Sequence, residues 1–287
     1  MGVKRSAKLR KRKIGLALGS GVARGLAHIG VLEVLERESI PIDMIAGTSM
    51  GAIVGAAYAS GKSARQIREF ALDLGWKKMV PLLDLTAPRT GFIGGRRIKK
   101  RLKEIIGEVS FADLAKPFAC VTTDIVTGEE VVFRDGLVLD AVIVSISLPI
   151  IFRATKWQGR YLVDGSLVTP VPVRILKEMG ADFIIAVNVL HHLSEKTHLH
   201  PGDVREIKEP NIFNIMTQIV NILASRLVAS SMNGADVVIE PNMAGIGLAD
   251  FGKAEECIRR GELAAQESIP EIKKAMRHSS RLLRTVA

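Results

Sequence analysis

Apolar and polar positions along the chain alternate between two periods. Ile14 to Leu18, IGLAL, carries no polar side chain, and a glycine-containing loop, GSGVARG (19–25), follows. In LAHIGVLEVLER (26–37), Leu26, Ile29, Val31, Leu32 and Leu35 fall mostly at helical spacing, so the opening predicts strand, tight loop, helix. The pattern recurs. IPIDMIAGTS (40–49) reads as a strand running into a turn, and MGAIVGAAYASG as a small-residue helix ending at Gly61. SARQIREFALDL (63–74) reads as a further helix with Ser63 as N-cap.

Residues 75–112 break the rhythm. WKKMVPLLDLTAPRTGFIGG carries Pro81 and Pro88 and little periodicity. Beyond it, Ile98, Leu102, Ile105 and Ile106 share one helical face, while Arg96, Arg97, Lys99, Lys100, Arg101 and Lys103 crowd the rest. Two readings fit: a solvated helix packed on the core, or a lid or membrane-contact element.

FACVTTDIVTGEEVVFRDG (118–136) predicts two strands around a turn at Thr127–Gly128. LVLDAVIVSISLPIIF (137–152) starts as a helix and stops at Pro149. From 159 to 190 a short strand, a turn at Asp164–Gly165, a helix near 172–179 and a buried strand 183–190 are expected. A long helix (210–232), a strand (236–241) and helical residues 251–277 complete the chain. Strands alternating with helices predict an α/β sandwich around a largely parallel sheet.

Composition changes this picture in three places. The chain has 287 residues, enough for a sizeable core, and its 5% aromatic content leaves Leu, Ile, Val and Ala to fill it. Its two cysteines, Cys120 and Cys257, have no metal-like spacing and give no disulfide framework, which fits a reducing, cytoplasmic setting. The net charge of +10 is uneven. Residues 1–13 hold Lys4, Arg5, Lys8, Arg10, Lys11, Arg12 and Lys13 and no acid, so the body is nearly balanced. Residues 1–13 are therefore expected to be a disordered basic arm, 14–280 the domain and 281–287 a tail. Such an arm attracts anionic membrane, or nucleic acid without specificity, or only adds solubility. The basic start followed by IGLALGSGVA also resembles a signal peptide, but Arg24 and His28 follow at once and argue against it. The charge-free run Met44–Gly61 is rich in Gly, Ser and Thr, which a lipid-facing helix would waste.

The chemistry lies in Gly47-Thr48-Ser49-Met50-Gly51, a GxSxG pattern between an apolar strand and a small-residue helix. There backbone strain can point a serine Oγ into open space, and flanking glycines let neighbouring chain come close. A serine nucleophile needs oxyanion donors. Gly19, Gly21 and Gly25 allow backbone amides to converge at a helix N-terminus. A dinucleotide cradle is the rival, but the spacing is GxGxxxG and no acid ends the second strand. A serine also needs a base. His191 and His192 are the well-placed histidines for a Ser–acid–His order. Asp164 at a strand end is the alternative, with an Asx-turn role as its bland reading.

Four segments in order, LALGSGVARGLAHIGVLEVL (16–35), IAGTSMGAIVGAAYASG (45–61), SISLPIIF (145–152) and YLVDGSLVTPVPV (161–173), resemble the patatin-like lipid acyl hydrolases, specifically their compact bacterial branch. The resemblance implies a three-layer α/β/α fold and a Ser–Asp dyad without a catalytic histidine, metal or cofactor. It makes Ser49 the nucleophile and Asp164 the base. Gly19, Ser20, Gly21, Val22 and Met50 would form the oxyanion hole, with Gly47, Gly51, Arg24, Gly25 and Gly165 supporting the turns. Ser20 and Val22 interrupt what is usually an unbroken glycine run, and β-branched Val22 resists φ > 0. Ser166 stands where the family has a second glycine or an alanine. The implied activity is hydrolysis of lipid esters, with the arm and helix 96–103 as peripheral contacts to anionic lipid. The alternatives are a regulatory or lipid-binding module of the same fold, and a soluble carboxylesterase or thioesterase.

Overall fold

A computed structural model gives the fold and describes residues 12–74, 91–149, 154–190 and 212–285. In chain order the elements are β1 (Ile14–Leu18), α1 (Ala27–Arg37), β2 (Met44–Thr48), α2 (Met50–Ala59), α3 (Ala64–Asp73), α4 (Gly91–Ile106), β3 (Phe118–Asp124) and β4 (Glu130–Phe133). Then come α5 (Val138–Ser145), β5 (Thr155–Trp157), β6 (Arg160–Asp164), α6 (Val173–Glu178), β7 (Phe183–Val187), α7 (Ile212–Ser231), β8 (Val237–Ile239) and α8 (Ala254–Thr285).

The strands form one sheet in the order β5-β6-β3-β2-β1-β7-β8, with β4 also on β3. The five strands β3, β2, β1, β7 and β8 run parallel, while β4 and β6 each pair antiparallel with β3, and β5 pairs antiparallel with β6. Because strand side chains alternate faces, β1 divides its residues. Ile14, Leu16 and Leu18 join the large core shared with α1, α2, α3, α4, α5 and α8. Ala17 joins Met44, Ala46, Ala119 and Ala186 in a second core capped by Ile175 and Leu176 of α6. The result is a three-layer α/β/α sandwich.

Several boundaries differ from the sequence pattern. β2 begins at Met44 rather than Ile40, since Pro41 has no amide to give a ladder. α5 ends at Ser145, four residues before Pro149, and the chain beyond it turns to β6, where the Ser147 carbonyl accepts the Asp164 amide at 3.0 Å. β5 is a three-residue strand that periodicity did not reveal. α8 continues to Thr285, past residue 277 and into the expected tail. Ser63 caps α3 as expected, and Gln66 answers it in a capping box.

Of the basic arm, residues 1–11 lie outside the described residues. Arg12 and Lys13 are attached to the body: the Arg12 guanidinium stacks 4.5 Å from the Phe183 ring centroid, and the Lys13 amide donates to Asp182 Oδ2 at 2.9 Å. Residues 75–90 of the expected lid also lie outside. The helix after them packs on the core through Ile98, Leu102, Ile105 and Ile106, all buried. Three of its bases meet acids of the protein: Lys99 with Asp140 at 2.6 Å, Arg101 with Glu104 at 2.6 Å and Asp73 at 3.6 Å, and Lys103 with Glu108 at 2.8 Å. Among the described residues no helix is long and apolar enough to cross a membrane.

Candidate active site

Ser49 joins β2 to α2 at φ 56° and ψ −121°. Positive φ in a non-glycine residue costs about 1–3 kcal/mol and persists only where neighbours enforce it. Here the Thr48 hydroxyl donates to Thr169 O at 2.9 Å, and the Ser49 amide donates to Ser145 Oγ at 3.0 Å. Gly51 lets the first turn of α2 press onto the end of β1: a Cβ there would stand 2.1 Å from Leu18 O. Gly47, in β2, passes directly under that turn.

Sheet register brings Asp164 to this serine. β4 occupies one edge of β3 along Cys120–Thr123, so β2 and β6 must share the other. β2 pairs up to Thr48↔Val121, and β6 takes over at Thr122↔Asp164. The two strands therefore meet end to end beside β3, one carrying Ser49 just past its tip and the other ending in Asp164. Gly165 makes the meeting possible, because a Cβ on it would lie 2.4 Å from Val121 O.

Asp164 is fully buried. Its Oδ1 accepts the Ser166 amide at 2.8 Å, an Asx-type contact at the start of a short 3-10 turn, so the bland role is real but uses one oxygen. Thr123 Oγ1 donates to the Asp164 carbonyl at 2.9 Å. Burial pushes the Asp164 carboxyl above the usual carboxylate range, opposed by hydrogen bonding from Ser49 and Ser166. Oδ2 is enclosed and has no partner that meets strict hydrogen-bond geometry.

The loop after β1 divides in function. The Gly19 amide donates to Val187 O at 3.1 Å and the Ser20 amide to Pro170 O at 2.9 Å. Gly19 and Ser20 are thereby removed from the expected oxyanion donors, since their amides hold the loop in place. The amides of Gly21, Val22 and Met50 donate to no protein group among the described residues. Val22 adopts φ 48°, the conformation its β-branch resists. Arg24 supports the loop as expected, its Nε donating to Ile246 O at 2.8 Å, and the Ala23 amide donates to Leu248 O at 3.0 Å. Gly25 lies under the Met50 side chain.

Ser20, Gly21, Val22, Ser49, Ser166 and Asn221 are among the residues lining a cavity of about 20 Å³, room for one water molecule. Sequence reasoning missed three contributors. Ser145 bridges Ser49 to Val121. His28 is fully buried and its Nε2 lies 2.7 Å from Gly19 O. That carbonyl only accepts, so Nε2 carries the proton and Nδ1 is a bare, unpartnered nitrogen. Burial pulls the His28 pKa down to about 4, leaving a neutral strut. The third, α7, roofs the cavity through Val220, Asn221 and Ala224. His191 and His192 lie outside the described residues.

A three-layer α/β/α sheet with a strained serine elbow facing a buried aspartate defines a class of protein, and comparison with known sequences places this chain within it. The family profile described as patatin-like phospholipase matches residues 16–177, more than half of the chain. The chain belongs to the patatin-like phospholipase family. It is 35% identical over 177 residues to an uncharacterized NTE family protein of Mycobacterium tuberculosis, covering 62% of this chain and 49% of that protein. It is also 28% identical over 274 residues to the lysophospholipase NTE1 of Debaryomyces hansenii, covering 88% of this chain and 18% of that protein. The chain thus spans about half, or less, of the length of these relatives. Among solved structures, the type III effector protein ExoU aligns with a TM-score of 0.49 and 14% identity, over 91% of this chain and 53% of that one.

Proposed function

We propose that the protein is a serine acyl hydrolase of lipid esters that works through a Ser49–Asp164 dyad. The observation that carries this reading is the end-to-end meeting of β2 and β6, which sets a serine at φ 56° beside a buried carboxylate with one oxygen unpaired. Asp164 Oδ2 takes the proton of Ser49 Oγ as Oγ bonds to the ester carbonyl carbon. The carbonyl oxygen gains negative charge next to the free amides of Gly21, Val22 and Met50, at the N-terminus of α2, where helix geometry favours an anion. The tetrahedral species collapses, the C–O bond to the alcohol breaks, and Asp164 returns its proton to the leaving oxygen. A water then loses a proton to Asp164, attacks the acyl-Ser49 carbonyl and releases the fatty acid, restoring both side chains. Family membership and the lysophospholipase relative support lipid esters as the substrate class.

Val22, held at φ 48° in the loop that would cradle the oxyanion, favours a second reading, a regulatory or lipid-binding module of the same fold with slow turnover. One experiment separates them: hydrolysis of p-nitrophenyl butyrate and labelling by a fluorophosphonate, for wild type, Ser49→Ala and Asp164→Asn. Turnover and labelling in wild type, both lost in Ser49→Ala, are expected. A wild type that neither turns over nor labels removes the hydrolase reading, and full activity in Asp164→Asn removes the dyad.

A further inference from the structure

The helix that roofs the cavity has a second face. α7 turns Val220, Asn221 and Ala224 toward Ser49, and Ala224 and Val228 are buried against Leu190. On its opposite side Ile215, Ile219, Ile222 and Leu223 are 41%, 41%, 36% and 50% exposed. The positions recur at four, three and one residues, so the four side chains form one outward stripe. Over its 20 residues, Ile212–Ser231, the helix has no Asp or Glu and a single charge, Arg226, which is also exposed. A helix apolar on both faces is ordinarily buried on both; among the described residues this one is buried on one side and 36–50% exposed at the four positions on the other. A second apolar projection lies beyond the strand ends on the side where Ser49 follows β2. β3 runs parallel to β2 and extends beyond its tip, and the turn that follows exposes Ile125 by 48% and Val126 by 74%.

We propose that the outward stripe of α7 is the surface on which the protein rests on a lipid aggregate, sinking Ile215, Ile219, Ile222 and Leu223 to the acyl boundary. The proposal rests on the lipid acyl hydrolase reading and names where the substrate phase sits. Three features favour a lipid surface over a second copy of the chain. The stripe is carried by the same helix that closes the cavity, so contact with lipid at its outer face bears on access at its inner face. It lacks carboxylates that would be repelled by phosphate headgroups, and Arg226 lies among the apolar residues where a phosphate can meet it. Four side chains on one helix also fall well short of the roughly 20–30 residues per side of a stable protein interface. A surface bound more tightly by an α7 displaced from Ser49 would open the cavity by population shift, in proportion to that difference in affinity. The ion pairs of Lys99, Arg101 and Lys103, together with the burial of its apolar face, make α4 the weaker candidate for the same role.

The test uses the full chain and Ile219→Asp/Leu223→Asp, with Ile219→Ser/Leu223→Ser as a milder second variant. Binding to phosphatidylcholine vesicles and to vesicles containing phosphatidylglycerol is measured by co-sedimentation. Fatty acid release from the same vesicles, p-nitrophenyl butyrate hydrolysis and the melting temperature are measured alongside. Both variants are expected to keep the wild-type melting temperature and soluble-ester kcat/KM, while vesicle binding and release from vesicles fall at least ten-fold. Wild-type vesicle binding by both variants overturns the proposal. So does a wild-type dimer that the variants convert to monomer, which assigns the stripe to a second copy. A wild type that binds vesicles through the stripe yet hydrolyses no ester leaves this surface standing and removes the hydrolase reading instead.

Discussion

Ser145 holds Ser49 by its backbone: the Ser145 hydroxyl accepts the Ser49 amide at 3.0 Å and donates its own hydrogen to Val121 O at 2.7 Å. Both ends of this bridge are buried, and Val121 O is also the atom over which Gly165 crosses. One hydroxyl therefore links Ser49 to the strand beside which Asp164 is placed. Ser145→Ala leaves the Ser49 amide buried without an acceptor, at a cost of about 1–3 kcal/mol. The expected result is a lower melting temperature together with at least a ten-fold loss in fluorophosphonate labelling rate, because φ at Ser49 is no longer enforced. Thermal melts and labelling kinetics on the same preparation check it.

Asp164 couples activity to stability. Its carboxyl holds a proton more tightly folded than unfolded. Stability therefore falls as pH rises from the ordinary carboxylate value through the raised one, and the lost increment stays lost above it. Under the proposed dyad, activity runs the other way, since Asp164 must be ionised to accept a proton. Asp164→Asn is expected to lower kcat by about 100- to 10,000-fold, to raise the melting temperature at pH 7, and to lose that advantage as the pH is brought down to the ordinary carboxylate range. For wild type the acid limb of kcat/KM is expected above the ordinary carboxylate range. Kinetics and melts across pH 4–8 check both halves.

His28 acts on stability with the opposite sign. Its pKa is lowered to about 4 in the fold, so between that value and the ordinary 6.5 the unfolded chain binds the extra proton. Stability falls as pH drops from 6.5 toward 4, by up to about 3 kcal/mol. His28→Gln keeps a donor for Gly19 O and carries no charge. It is expected to flatten this acid-side loss while retaining most of the soluble-ester activity, and urea titrations at several pH values measure the slope directly.

How much of this was legible in the sequence follows from the range of each interaction. Strand and helix periods, the Ser63 cap and the strand–Ser49–helix elbow are local signals, and they appeared where the pattern put them. Asp164 could be read only through the family resemblance, because an Asp-Gly turn looks alike whether or not register carries it to a serine. Ser145 and His28 were not legible as site residues. One acts across 96 positions, and the other is a single histidine on an apolar helix face. The apolar face of α4 was legible as a core-packing face, but the partners of its bases were not: Lys99 meets Asp140 and Arg101 meets Asp73, acids on other elements that helical periodicity does not see. The interruption at Val22 was visible, but the φ of 48° that the folded loop imposes was not.

Val22 is the site's second strained residue, and its two parts can be tested apart. The amide donates to no protein group among the described residues, and Val22 is one of the residues lining the cavity. Left-handed backbone at a β-branched residue costs about 1–2 kcal/mol, which glycine would relieve. Glycine would also loosen the unfolded chain, at a penalty of about 0.4–1 kcal/mol. Val22→Gly is therefore expected to leave the melting temperature unchanged or slightly higher, and to hold kcat/KM on p-nitrophenyl butyrate within about three-fold, because glycine still presents the N–H that an oxyanion needs. Val22→Ala removes the bulk but keeps much of the strain, so it should be no more stable than wild type and equally active. If both variants lose more than ten-fold in kcat/KM while melting normally, the Val22 side chain, rather than its amide, is what the reaction uses.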